Sequence, residues 1–99
     1  MDKKYSPISI SLKILPRVSE EQIYPVVDKV IELIQASGVK YLVGPTETTM
    51  EGDWDTIFEL IKQAHLLCFE LGAGRVLSLI QVDMKVGGVT MDEKIYKYR

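Results

Sequence analysis

From Pro7 to Leu15 the chain reads PISISLKIL, with Ile8, Ile10, Leu12 and Ile14 at one parity and Ser9, Ser11 and Lys13 at the other. Successive side chains of an extended chain point to opposite faces, so this alternation predicts a strand with one apolar and one polar face. Such a strand cannot bury its apolar face alone and needs an amphipathic element to cover it. The residues that follow supply one. Pro16 ends the strand, Ser19 stands where a helix cap would, Gln22 lies three residues on, and Val18 and Ile23 are spaced for a hydrophobic staple. Ile23, Val27, Val30 and Ile34, widened by Val26, Ile31 and Leu33, recur at helical spacing up to Gly38. Pro25 falls inside that pattern, where it removes a backbone donor, and predicts a kink or a later start.

Strand-like segments return at about residues 40–44 and 47–51, joined tightly around Pro45. Asp53 then reads as the cap of a second helix, with Asp55 near the positive end of its dipole. Ile57, Ile61, Ala64, Cys68 and Leu71 form its apolar stripe, and the glycines of LGAGR suit a left-handed end. The run RVLSLIQVDMK predicts a last strand with Val76, Ser78, Ile80, Val82 and Met84 on one face and Leu77, Leu79, Gln81, Asp83 and Lys85 on the other. Both faces are partly apolar, so both want cover. Gly87-Gly88 turns the chain into VTMDEKIYKYR, a short C-terminal helix capped by Thr90. The order strand, helix, strand, strand, helix, strand predicts an α+β fold of the split βαβ, ferredoxin-like type: a four-stranded antiparallel sheet, two helices on one face, and a short C-terminal extension. We expect one domain over residues 1–99.

With 46% hydrophobic and 26% charged residues the composition is that of a globular protein, and 99 residues suffice for one core. A net charge of -2 argues against nucleic-acid binding, and the central strands lack the aromatics that stack bases. No apolar run is long enough to cross a membrane and the start lacks the pattern of a signal peptide, so a cytoplasmic location is expected. The lone Cys68 excludes an intrachain disulfide. His65 and Cys68 lie one helical turn apart beside the buried stripe, but no further His or Cys exists to complete a zinc sphere, so a core role and no metal site are expected. The LGAGR glycines follow a helix and precede a strand, the wrong order for a phosphate loop. A sheet with helices on one face leaves the other open, and Leu77 and Leu79 on it predict a homo-oligomer through that face.

The remaining chemistry gathers in YLVGPTETTMEGDWD, residues 41–55. Thr48, Thr49 and Glu51, with Ser11 from the first strand and Gln81 or Asp83 from the last, offer hydroxyl donors, hydroxyl acceptors and carboxylates. They suit a polar ligand pocket. Threonine also simply favours strands, and Glu51 could be a solvated surface charge; spacing leaves both readings open. Nor does alternation decide which face Thr48 occupies, since the hairpin register is not legible.

The segments SLKILP (11–16), YLVGPTETTMEGDWDTI (41–57) and VDMKVGGVTMDEKIYKYR (82–99) resemble the small thiamine-binding protein family across nearly the whole chain. The most specific element is Gly44-Pro45, then Thr48, then Glu51-Gly52 before the second helix. The resemblance implies a ferredoxin-like subunit that assembles into dimers or tetramers and binds thiamine or its hydroxymethylpyrimidine half, without a catalytic role or a cofactor. It also implies ligand contacts from a serine on strand one, a threonine on strand three and an aspartate on strand four, which match Ser11, Thr48 and Asp83; Thr49 and Glu51 complete the candidate set. Met50 stands where other members often carry a branched aliphatic. The cationic thiazolium of intact thiamine would favour Glu51, Asp83 or an aromatic face such as Trp54, Tyr24 or Tyr41. Rival functions are a regulatory or assembly module that docks a protein on the open face, and a small isomerase-like enzyme depending on His65 or Asp83.

Overall fold

The computed structural model describes residues 3–98. Strand β1 (Ile8–Pro16) leads into helix α1 (Glu20–Ala36), hairpin strands β2 (Lys40–Val43) and β3 (Thr48–Gly52), helix α2 (Trp54–Glu70), strand β4 (Val76–Asp83) and the short helix α3 (Met91–Ile95). The sheet runs β2-β3-β1-β4 with every neighbouring pair antiparallel. This is the split βαβ arrangement expected from the order of elements. Among the described residues no helix is long and apolar enough to cross a membrane.

Register sorts the side chains. Ile10 pairs with Met50 on one side and Val82 on the other, and Leu12 with Thr48 and Ile80, so one parity of each strand faces the helices. Ile8, Ile10 and Met50 are fully buried there against Val30 and Ile34 of α1 and Ile57, Ala64 and Cys68 of α2. Thr48 sits on this same face, at the margin of the core.

α2 begins where the sequence says it should. The Asp53 carboxylate accepts from the Asp55 and Thr56 backbone N–H groups, at 3.1 and 3.3 Å, satisfying two donors that a helix start leaves unpaired. Asp53→Ala is expected to cost about 1 kcal/mol of folding free energy in urea denaturation. α1 runs through Pro25 from Glu20, without a later start, and Ser19 holds the cap position expected of it but makes no side-chain hydrogen bond. Its first turn is closed instead by the backbone, the Gln22 N–H donating to the Ser19 carbonyl at 2.9 Å. Leu71 lies just past the end of α2 and is more exposed than the stripe predicts.

The C-terminal extension folds back over the sheet face that the two long helices leave open. Gly87 and Gly88 make this turn with φ of +92° and +87°, a region open to glycine and strained for other residues. The Gly87 N–H donates to the Lys4 carbonyl at 2.6 Å and the Val89 N–H to the Pro7 carbonyl at 2.9 Å, so the turn is tied to the segment before β1. Thr90 then caps α3 in a reciprocal box with Glu93. Val89 and Met91 are buried beneath it, apart from the main core.

Candidate functional site

Across the open face the strands line up side chains in rows. The first row, from edge to edge, is Asp83, Ser9, Glu51 and Lys40; the second is Gln81, Ser11, Thr49 and Leu42. Farther along β1 the rows become apolar, with Leu79 beside Lys13 and Leu77 beside Leu15. α3 lies over the polar rows and leaves the apolar ones uncovered.

Three polar attachments hold α3 there. Its first backbone N–H, that of Met91, donates to Glu51 Oε1 at 2.7 Å. Lys40 Nζ donates to Asp92 Oδ2 at 2.8 Å, with the second oxygen of Glu51 at a longer 3.9 Å. Lys94 Nζ pairs with Asp83 Oδ2. The hydrogen bond to Asp92, helped by the nearby Glu51 charge, holds the Lys40 ammonium pKa above its ordinary value. Because the Lys40–Asp92 pair stands in solvent, it adds little stability; the buried Val89 and Met91 and the hydrogen bond from the Met91 N–H to Glu51 carry more.

Between α3 and the sheet lies a concavity of about 420 Å³, within the range of small-molecule sites. Its floor is Ser9, Ser11, Thr49, Gln81 and Asp83; Leu42 and Glu47 close the hairpin side; Met91, Lys94 and Ile95 form the roof. Ser11 Oγ donates to Gln81 Oε1 at 3.3 Å, which orients both across the β1–β4 boundary. The lining thus combines hydroxyls, an amide, two carboxylates, one ammonium and an apolar lid. That is a set able to hold a flat polar heterocycle by its edge while covering its face.

Of the five candidate residues, Ser11, Thr49 and Asp83 meet in this concavity. Glu51 stands in the neighbouring row and spends a carboxylate oxygen on the start of α3. Thr48 does not share the site. Its side chain lies on the helix-covered face, 8% exposed, beside a groove between α1 and the hairpin that also includes Val27 and Pro45. The aromatics considered for a cation lie elsewhere too: Trp54 packs on Phe58 with ring centroids 4.5 Å apart, Tyr24 projects from α1, and Tyr41 shares the parity of Met50. Sequence reasoning missed Ser9, Leu42, Glu47, Met91, Lys94 and Ile95. A signal for the last three was present, since Val89, Met91 and Ile95 are apolar residues around a capping box in a tail rich in charge.

His65 and Cys68 take no part. His65 Nε2 lies 2.8 Å from Ser78 Oγ, and Cys68 is fully buried, where burial pushes its thiol pKa up and away from the reactive thiolate. Among the described residues no three His, Cys, Asp or Glu side chains converge as metal ligands.

The chain is similar to known proteins over nearly its whole length. Residues 10–99 match the family described as thiamine-binding protein. A UPF0045 protein of Clostridium perfringens is 56% identical over 92% of this chain and 96% of its own length. Among solved structures, a domain of unknown function from Bacillus cereus superposes with a TM-score of 0.91 at 38% identity, covering 100% of this chain and 96% of that one. A candidate thiamine biosynthesis/salvage protein from Thermotoga maritima gives 0.88 at 35% identity, covering 94% and 99%.

Proposed function

Because this chain belongs to the thiamine-binding protein family, we propose that it binds thiamine or its hydroxymethylpyrimidine half in the concavity beneath α3. The role is carriage, salvage or sensing in the cytoplasm, without turnover. The observation that carries the reading is the convergence of Ser9, Ser11, Thr49, Gln81 and Asp83 on the floor of one covered hollow. An aminopyrimidine offers an amino donor beside ring-nitrogen acceptors. A carboxylate or the Gln81 carbonyl can accept from the first, and serine or threonine hydroxyls can donate to the second. Glu47 supplies negative charge that a thiazolium would seek, and Asp83 does so once its pair with Lys94 opens. The structural likeness to the Thermotoga maritima candidate salvage protein points the same way.

Isothermal titration with thiamine and with hydroxymethylpyrimidine tests this, and silence with both ligands at high micromolar concentration removes the proposal. The two adjacent threonines sharpen it. Thr49→Val deletes a hydroxyl from the floor and is expected to weaken binding about tenfold, the worth of one well-placed hydrogen bond. Thr48→Val, on the other side of the sheet, is expected to leave affinity within about twofold. The reverse pattern would move the ligand to the groove beside α1.

The uncovered rows of the open face carry Leu15, Leu77 and Leu79, and we assign this patch to self-association into a dimer or tetramer. A foreign protein partner on the same patch is the competing reading; it predicts a monomer in isolation.

A further inference from the structure

The concavity contains a cation of its own. Lys94 reaches down from α3 to Asp83, and both residues line the hollow. The other acid in the lining, Glu47, has no ion-pair partner among the described residues. Lys40 is engaged outside by Asp92 and Glu51. An incoming positive charge therefore finds Asp83 already neutralised and meets the Lys94 ammonium beside it. A neutral ring of the same shape meets neither obstacle.

We propose that Lys94 sets the preference of this site between cationic and neutral heterocycles, by competing with a cationic ligand for Asp83. This rests on the binding reading above. Displacement is structurally cheap. Lys94 and Asp83 side chains are 38% and 50% exposed, so the released ammonium moves directly into water. α3 stays seated, because the bond from the Met91 N–H to Glu51, the Lys40–Asp92 pair and the buried Val89 and Met91 are untouched. The cost of binding a cation is the lost ion pair plus repulsion from a lysine tethered nearby. Both fall only on the charged ligand.

The experiment is titration of thiamine, which carries the permanent thiazolium charge, and of hydroxymethylpyrimidine at a pH where its ring is neutral. Wild type, Lys94→Met and Lys94→Arg are compared. Removing the charge is expected to raise the ratio of thiamine affinity to that for the neutral alcohol about fivefold, the scale of an exposed ion pair. Lys94→Arg keeps the wild-type ratio of the two affinities. Lys94→Gln serves as a second uncharged variant if methionine disturbs folding, judged by the thermal midpoint. An unchanged ratio in the uncharged variants, or equal changes for both ligands, overturns the role of Lys94 while leaving the site intact. Absence of binding by either ligand to wild type overturns the site itself, and this inference with it.

Discussion

Gly88→Ala is expected to lower stability by at least about 2 kcal/mol and to abolish binding beneath α3. Two penalties coincide at this residue. Its φ of +87° costs an alanine about 1–2 kcal/mol in local strain. A Cβ there would also lie 2.7 Å from the Ser6 carbonyl oxygen and 2.8 Å from Pro7 Cδ, so the backbone before β1 must move. Gly72 provides the control. Its φ is +103°, but a Cβ at this position would meet nothing within 4 Å, so Gly72→Ala should pay the strain alone, about 1 kcal/mol. It should also bind ligand as wild type does, since Gly72 follows α2, remote from the concavity. Urea denaturation and thiamine titration of the two variants side by side check this. Equal losses of stability, or retained binding by Gly88→Ala, would mean that the turn does not direct α3 onto the sheet.

That contrast explains what could be read from the chain alone. The faces of β1 were legible because strict alternation from Ile8 to Ile14 leaves one solution, and Asp53 was legible because capping is local chemistry. The side of the sheet taken by Thr48 was not. It is decided by a turn in which the Gly44 N–H donates to the Glu47 carbonyl at 2.7 Å, pairing Val43 with Thr48. A turn one residue longer would exchange Thr48 and Met50 for Thr49 and Glu51. The threonines and acids in that stretch suited either face, so nothing in their order could choose. The buried choice puts Met50 in the core and frees Thr49 to join Ser11 and Gln81.

The roof of the site was hidden for a similar reason. A short capped helix after Gly87-Gly88 was readable, but its direction depends on two positive φ angles and on docking against residues some eighty positions earlier. Nothing in the order of residues therefore drew Lys94 into the candidate set. The two partly apolar faces of β4 ask for cover, and α3 supplies it only at the Asp83 end. The other end carries the consequence.

Leu77→Lys combined with Leu79→Lys is expected to convert the proposed assembly into single chains with little loss of fold stability. The two side chains are 56% and 53% exposed on a lone subunit, so they contribute little to its core, and surface changes of this kind usually cost about 0.5 kcal/mol or less. Against a second copy the same leucines would face their own equivalents, as a two-fold contact brings a patch onto itself. Two lysines per chain in that contact would leave four ammonium groups desolvated and close to one another, a penalty of several kcal/mol and hence several decades in the association constant. Sedimentation velocity at micromolar concentration should give the wild type as a dimer or tetramer and the double variant as a monomer, with urea midpoints nearly equal. Because the polar rows under α3 are separate from this patch, the monomer should still take up hydroxymethylpyrimidine. If binding vanishes with the assembly, the neighbouring subunit contributes to the site; a monomeric wild type would instead leave the leucines to a different partner.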